Sequence, residues 1–321
     1  MPLNTWLYIH VIACIMSLSS YMSIKSATLA GISIDRLHTL CAVVEAGTIA
    51  AAAGPNPNRQ SQFSRQLKGL EMALGATLFD RIGKNLKPNA TGRRVALAAQ
   101  TFFGGLDDVM NAAAARAETV RLGAGEAILR WLVMPHLAEL MAGDPPLRFD
   151  VHNLTTELAL REVLAGSVDL VIMRTDAITD DLQSEAIKPI QYVLAIPREL
   201  LGSREGSEVF EGRSLPFAEL AGDGLFAKTV QATAATLGLN LRPVIQAQTF
   251  SLLVSAVESG TAAAFLPEVA AKTLPEQRFA LVSAKGMRAL NRSLSIVWSD
   301  EVAKSRSSVG RAITRLRRVL A

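Results

Sequence analysis

A short stretch of the chain is rich in side chains that can form hydrogen bonds to nucleic acid. Arginine can pair through two hydrogen bonds with guanine, glutamine can do the same with adenine, and serine can contact phosphates or base edges. These residue types share one face of a predicted helix: Arg59, Gln60, Ser61, Gln62, Ser64, Arg65 and Lys68. Glu71 is the first acidic residue after them. The pattern predicts a surface that contacts the major groove of DNA.

Positive charge is concentrated around this stretch. From Gly31 to Gly105, nine basic residues face four acidic ones, a balance of +5, although the whole chain carries only +4. A positive segment joined to a near-neutral body is typical of a module that binds a polyanion. Because an ordinary solvated surface can also carry such a charge, the residue types and their spacing must decide between the two interpretations.

The helices that position these side chains are indicated by apolar spacing and by capping residues. Ser33 suits the N-cap of a first helix that Gly47 ends, and Thr48 suits the N-cap of a short helix over 49–53. The buried face and the end of a third helix are marked by Phe63, Leu67, Leu70, Leu74 and Gly75. Two helices, a tight turn and a third helix with an exposed polar start are typical of a helix-turn-helix.

Two short extended runs follow the third helix, over 77–82 and 85–87, on either side of Gly83-Lys84. They predict a β-hairpin wing. Its basic residues, Arg81, Lys84 and Lys87, would lie along the DNA backbone.

Catalytic, metal and cofactor motifs are absent from the sequence. The two cysteines and four histidines lack metal-ligand spacing, and no Gly-x-Ser-x-Gly run occurs. Gly123-Ala124-Gly125 follows a predicted strand, but Ile128 occupies the place of the third glycine in a dinucleotide fingerprint. We therefore expect no enzyme activity, no catalytic residues, no metal and no cofactor. The isolated cysteines favour a reduced, cytoplasmic compartment.

Residues 37–92 resemble the DNA-binding domain of LysR-type transcriptional regulators. The resemblance is carried by the runs VVEAGTIAAAAG, RQSQFSRQLKGLEMALGATLFDR and LKPNATG, and it needs no gap. The sequence departs from the family pattern at the turn, where Gly54-Pro55-Asn56-Pro57-Asn58 stands. We expect Asn58 to cap the third helix there.

A long helix is predicted to follow, with Thr91 as its cap and its end near Glu118. Apolar residues recur along it at three- and four-residue spacing: Val95, Ala99, Phe102, Leu106, Val109 and Ala113. This stripe could pack on its own domain. The resemblance implies instead an antiparallel linker-helix dimer that places two DNA-binding domains on successive half-sites.

The remainder of the chain alternates predicted strands and helices, which favours parallel sheets with helices on both sides. It resembles the effector-binding domain of the same family, through VRLGAGEAILRWLVMPHL, LREVLAGSVDLVIM and LLVSAVESGTAAAFLPE. The resemblance implies two subdomains of periplasmic-binding-protein type with an effector cleft between them. The cleft would be lined by Gly125, Glu126, Thr155, Thr156, Thr249 and Phe250. Ordinary helix capping is the alternative role for the threonines.

The first 24 residues contain no Lys, Arg, Asp or Glu. They could be a membrane anchor, a signal peptide or a non-native extension upstream of a start at Met22. We favour the extension, because the first helix of the resembled family lies close to its N-terminus.

The sequence thus predicts an all-α winged helix-turn-helix with a long linker helix, followed by a periplasmic-binding-protein-like α/β domain of two subdomains. The expected divisions are an apolar extension (1–30), a DNA-binding domain (31–92), a linker helix (93–118) and an effector-binding domain (119–321). Expected partners are double-stranded promoter DNA, a small-molecule effector, a second copy in a homodimer or homotetramer, and RNA polymerase. The alternative function is a membrane-anchored or exported solute-binding receptor.

Overall fold

The computed structural model describes residues 31–82, 85–202, 214–222 and 224–320. The chain divides into two compact units. The N-terminal unit comprises the residues up to Gly104 together with Ala165–Ser167, and the C-terminal unit comprises the other residues from Gly105 onwards. The predictions for residues 1–30 and for Lys84 lie outside the described residues.

Three helices open the N-terminal unit: α1 (Ile34–Ala46), α2 (Ile49–Ala53) and α3 (Pro57–Leu74). The Ser33 and Thr48 hydroxyls cap α1 and α2 by accepting hydrogen bonds from N–H groups three residues further on. Gly47 and Gly75 end α1 and α3 with φ angles of 78° and 63°, a conformation that glycine adopts at little cost. The predicted helix-turn-helix and these four boundary residues are confirmed.

The start of α3 differs from the prediction, because its cap is Asn56 and not Asn58. Asn56 Oδ1 accepts hydrogen bonds from the N–H groups of Asn58 (3.0 Å) and Arg59 (3.4 Å). Pro57 occupies the first helical position, where its missing N–H would have no partner within the helix. α3 therefore begins at Pro57 and not after Asn58.

The predicted wing is also confirmed. β1 (Phe79–Ile82) and β2 (Asn85–Pro88) pair as antiparallel strands, with Arg81 opposite Leu86 and Asp80 opposite Lys87. The buried core of the unit joins the helices to the start of the wing and consists of Leu40, Val43, Leu67, Leu70, Leu78, Phe79 and Ala96.

The following helix, α4 (Ala90–Ala113), is bounded differently from the prediction. Its cap is Asn89 and not Thr91, because Asn89 Oδ1 accepts a hydrogen bond from Gly92 N at 2.9 Å. Asn89 Nδ2 also donates to Thr77 O at 3.0 Å and joins the helix start to the residues before the wing. The helix does not reach Glu118, since that residue already belongs to a strand.

The C-terminal unit alternates strands and helices, as predicted. Its first part contains β3 (Glu118–Ala124), α5 (Glu126–Ile128), α6 (Leu137–Met141), β4 (Leu147–Asn153), α7 (Thr156–Ala165), β5 (Leu170–Arg174) and β6 (Gln183–Ile190). A π-helical turn over Leu129–Val133 and a 3₁₀ turn over Met134–His136 join α5 to α6.

Its second part contains β7 (Tyr192–Pro197), α8 (Arg198–Leu201), β8 (Ser214–Leu220), α9 (Leu225–Thr236), β9 (Asn240–Ala247), α10 (Phe250–Glu258), β10 (Ala264–Pro267), α11 (Glu268–Ala271) and β11 (Phe279–Val282). The chain then returns through β12 (Arg292–Trp298) to α12 (Asp300–Ser305) and α13 (Ser307–Leu320).

These strands build two subdomains. Subdomain A has one sheet in the order β4-β3-β5-β12-β6, and subdomain B has the sheets β10-β7-β11 and β8-β9. β3 is parallel to β4 and β5, but β12 is antiparallel to β5 and β6. β7 is likewise antiparallel to both of its neighbours. The prediction of parallel sheets is therefore wrong in part, because β12 returns from subdomain B and enters the sheet in the opposite direction.

A buried ionic network fastens the end of α4 to subdomain A. Arg306 lies between α12 and α13 and is 4% exposed, while Asp108 of α4 and Asp169 before β5 are 6% and 1% exposed. Arg306 Nη2 and Nε donate to the two carboxylate oxygens of Asp108 at 3.0 and 3.2 Å. Its Nη1 donates to Asp169 Oδ1 at 2.6 Å, and its Nη2 also donates to Thr119 O at 2.7 Å.

A second arginine balances the charge of this network. Arg121 Nη2 donates to Asp169 Oδ1 at 2.7 Å, so two guanidinium groups face two carboxylates. Burial by itself would lower the pKa of Arg306, but the hydrogen bonds and charges of Asp108 and Asp169 outweigh it and raise that pKa. The guanidinium therefore stays charged inside the protein, where each of its nitrogens has an oxygen partner.

Replacing Arg306 with methionine should destabilise the C-terminal unit, because Asp108 and Asp169 would lose the cation that they share. The expected loss is about 3–5 kcal/mol in the free energy of unfolding, measured by urea denaturation. Arg317→Met is the matched control, since it breaks only an exposed pair with Glu185 and should cost about 1 kcal/mol or less. Equal losses for the two variants would contradict the role of the network.

Candidate functional site

The polar face of α3 is displayed at the surface. Arg59, Ser61, Gln62, Arg65 and Lys68 are exposed, whereas Gln60 and Ser64 are half-buried. The opposite face of the same helix supplies Leu67 and Leu70 to the core. The helix thus separates its predicted DNA-contacting residues from its packing residues.

Polar contacts with α1 hold α3 in place. Thr39 Oγ1 donates to Gln66 Oε1 at 2.6 Å, and Arg36 Nη1 donates to Gly69 O at 3.3 Å. Both contacts lie on the side of α3 that faces α1. The exposed side chains are therefore presented by a helix with a defined orientation, which specific base recognition requires.

An open depression of 580 Å³ lies where α2 meets α3, lined by Ile49, Gln60, Ser61, Ser64 and Arg65. Gln60 has a structural task there, because its Nε2 donates to Gly54 O at 2.8 Å across the turn. That contact uses one of the two N–H groups of the amide and orients the side chain across the turn. Gln62 is exposed, and no side-chain hydrogen bond from it is found among the described residues.

The wing is tied to α3 by an acidic residue. Glu71 Oε1 accepts a hydrogen bond from Leu78 N at 2.8 Å, just before β1 begins. Arg81 and Lys87 are exposed on the two strands, and Lys84 lies outside the described residues. Glu71 therefore positions the wing, a role that its place in the sequence did not indicate.

The apolar stripe on α4 divides into two parts. Ala99 is buried and Val95 half-buried, so this part packs as an ordinary helix face. Phe102, Leu106 and Val109 are 54%, 45% and 67% exposed, and Met110 beside them is 61% exposed. Exposed apolar side chains at this spacing form a surface suited to another helix.

One hydrogen-bonded group joins subdomains A and B and includes Glu126 of the predicted cleft. Ser251 of α10 donates from Oγ to Glu126 Oε1 of α5, and it accepts from Arg130 Nη1 at 3.0 Å. Gly125 and Phe250 immediately precede Glu126 and Ser251 in the chain. Glu126 Oε2 is buried and has no partner among the described residues. The contact joins the two subdomains at the predicted cleft.

Two of the three threonines of the predicted cleft take part in capping. Thr249 Oγ1 accepts from Leu252 N at 3.3 Å at the start of α10, and Thr155 Oγ1 accepts from Leu158 N at 3.4 Å. Thr155 and Thr156 lie close to Gly125, since Asn153 of β4 pairs with Ala124 of β3. Helix capping, the alternative role, is thus observed for Thr249 and Thr155.

Several residues at this junction were missed by the sequence analysis. Ser251 belongs to no motif, and Arg130 lies one helical turn after Glu126, a spacing that suggests a shared face but no partner. An aromatic cluster was missed too: the rings of Tyr192, Phe226 and Phe250 lie 5.0–5.8 Å apart. Burial raises the pKa of Tyr192 to about 12, although the charge of Arg292 opposes the shift.

Both units match known protein families. Residues 34–93 match the bacterial regulatory helix-turn-helix protein family of lysR type, and residues 113–320 match the LysR substrate binding domain. A Pseudomonas aeruginosa protein named "Putative transcriptional regulator" is 25% identical over 247 residues, which cover 74% of this chain and 79% of that protein.

Solved structures show the same fold. ArgP from Mycobacterium tuberculosis has a TM-score of 0.60 at 15% identity, over 86% of this chain and 96% of that one. Vibrio fischeri DarR in complex with DNA has a TM-score of 0.52 at 16% identity, over 90% of this chain and 99% of that one. The predicted fold class, a helix-turn-helix followed by a periplasmic-binding-protein-like domain, is confirmed. None of the helices in the described part of the chain combines the length and the hydropathy that a membrane span requires.

The two neighbouring glutamines of α3 should respond differently to truncation. Gln60→Ala removes the hydrogen bond to Gly54 O and should lower the stability of the N-terminal unit by about 0.5–1.5 kcal/mol. Gln62→Ala is the matched control and should leave stability unchanged, because Gln62 is exposed. Urea denaturation followed by circular dichroism measures both, and a larger loss for Gln62→Ala would refute the assignment.

Proposed function

Because the chain belongs to the LysR family of DNA-binding transcriptional regulators with an effector-binding domain, we propose that it binds promoter DNA through α3 and the wing. The observation that carries this proposal is the exposure of Gln62 and Arg65 on a helix whose opposite face is locked into the core. Arg65 and Gln62 would contact base edges in the major groove.

The other polar and basic side chains of α3 and the wing would hold the phosphate backbone. We assign this role to Arg59, Ser61, Ser64 and Lys68 on α3 and to Arg81, Lys84 and Lys87 on the wing. Gln60 would support the turn and contact DNA only at the border of the interface. Phosphate contacts fix the register of a protein on DNA but carry little sequence information.

Self-association would place two such surfaces on one operator. The exposed face of α4 formed by Phe102, Leu106, Val109 and Met110 supports a homodimer or homotetramer built on paired linker helices. Symmetric half-sites on the DNA would follow from the symmetry of that pair, and the bound oligomer would contact RNA polymerase.

The effector would bind where subdomains A and B meet. Gly125, Glu126, Thr155, Thr156, Thr249 and Phe250 are the proposed contacts, joined by Ser251 and Arg130. Glu126 Oε2 is buried and has no hydrogen-bond partner in the described part of the chain, which supports an effector that offers a hydrogen-bond donor. Such an effector regulates only if it binds one arrangement of the subdomains more tightly than the other.

We propose the divisions 31–92 for DNA binding, 93–118 for the linker and 119–321 for effector binding. α4 supplies the linker as far as Ala113, and Glu118 at its end is already the first residue of β3. We place the protein in the cytoplasm, where its DNA is, and assign it no enzymatic reaction. The alternative of a membrane-anchored or exported receptor leaves the helix-turn-helix match over 34–93 without a role.

Arg65→Ala should weaken binding to DNA from the regulated promoter by about 1–3 kcal/mol, provided that Arg65 makes two hydrogen bonds to a base. Gel-shift titration of the full chain measures the affinity. Arg148→Ala is the control, since Arg148 is exposed on β4 in the C-terminal unit. Unchanged affinity of Arg65→Ala would exclude Arg65 from the interface.

Lys87→Ala should weaken binding to all DNA sequences alike, because a phosphate contact does not depend on the base. The plot of log affinity against log salt concentration should become shallower by about 0.9. Binding to the promoter and to a scrambled duplex at several salt concentrations measures both effects. Loss confined to the promoter would instead assign Lys87 to base recognition.

A further inference from the structure

Subdomain B contains a cavity of 190 Å³ between β8, α9 and α10. Its apolar walls include Phe217, Phe226, Val230, Leu253 and Phe265, and its polar residues are Glu219, Lys228 and Gln231. The described residues that line it include none of the six proposed for the effector cleft. It is therefore a separate space from the junction around Glu126 and Ser251.

The side chains that form the inner wall of this cavity are almost fully buried. Phe217, Leu253 and Phe265 are 2%, 1% and 1% exposed. The rings of Phe217 and Phe265 meet edge to face at 5.8 Å, an arrangement that aromatic pairs favour. Because these side chains are held by the core of subdomain B, the space beside them has a defined shape.

The size and chemistry of the cavity indicate its occupant. An engineered apolar cavity of about 150 Å³ takes up benzene, and most drug-sized ligands need roughly 300 Å³ or more. At 190 Å³, this cavity has room for one ring. Lys228 and Gln231 are exposed at its edge and can meet a single polar substituent. We propose that the cavity is a second ligand site, for a monocyclic aromatic molecule with one hydrogen-bonding group.

A ligand in this cavity would also affect the proposed effector cleft. Phe226 lines the cavity, and its ring meets that of Phe250 at 5.4 Å and that of Tyr192 at 5.0 Å. Phe250 directly precedes Ser251, the residue that bonds to Glu126. An aromatic ligand beside Phe226 thus biases the junction between the subdomains. The ligand site itself does not depend on the proposed effector cleft; only this coupling does.

Phenol is the probe for the site, with binding to the full chain measured by isothermal titration calorimetry. Ala227→Leu places a larger side chain on the cavity wall and should weaken phenol binding at least tenfold. Ala232→Leu is the matched control, because Ala232 is exposed on the same helix and does not line the cavity. No detectable phenol binding to the unaltered chain, or equal binding by the two variants, would overturn the proposal.

Leu253→Ala provides a second test that does not depend on the folding of Ala227→Leu. Enlarging the cavity should shift its preference from phenol towards the two-ring probe indole, a change that a purely structural role of Leu253 would not produce. Unchanged selectivity would count against the site. Phenol binding that is lost in Glu126→Gln but retained in Ala227→Leu would place the probe in the effector cleft and overturn the proposal.

Discussion

The C-terminal unit depends on one buried interaction, the contact of Arg306 with Asp108 and Asp169. A buried charge is tolerated only when its partners satisfy it, and here each guanidinium nitrogen has an oxygen within 3.2 Å. The contact ties the end of α4 to the residues that start β3 and β5. Since Asp108 and Arg306 are 198 positions apart, the network can form only after both ends of the C-terminal unit have come together.

Strand β3 lies between this network at its start and the proposed effector cleft at its end. β3 begins beside Thr119, which bonds to Arg306, and ends at Ala124 beside Gly125 and Glu126. Seven residues of strand span roughly 20 Å. β3 therefore connects the segment that holds Glu126 to Thr119, whose carbonyl accepts from Arg306, and Arg306 in turn bonds to Asp108 of α4.

In the N-terminal unit, some polar residues of α3 bond within the protein and others face solvent. Gln60 and Gln66 make intramolecular hydrogen bonds, while Gln62 and Arg65 point to solvent. Glu71, the first acid after the basic stretch, holds the wing through Leu78 N. If all polar groups of α3 formed hydrogen bonds within the protein, none would remain to contact DNA. If none did, the helix would lack a fixed orientation. The observed division supports the DNA contacts proposed for Gln62 and Arg65.

Sequence alone determined the features that rest on contacts between near neighbours. Ser33, Thr48, Gly47 and Gly75 act within one helical turn, and the apolar spacing around Leu67 and Leu70 marks a face that any compact fold would bury. Tertiary structure decided what depends on distant residues: the Arg306 network, the bond of Ser251 to Glu126 across 125 positions, and the antiparallel return of β12. Short-range capping costs little chain entropy and is encoded locally, whereas long-range partners are selected only when the whole core has formed.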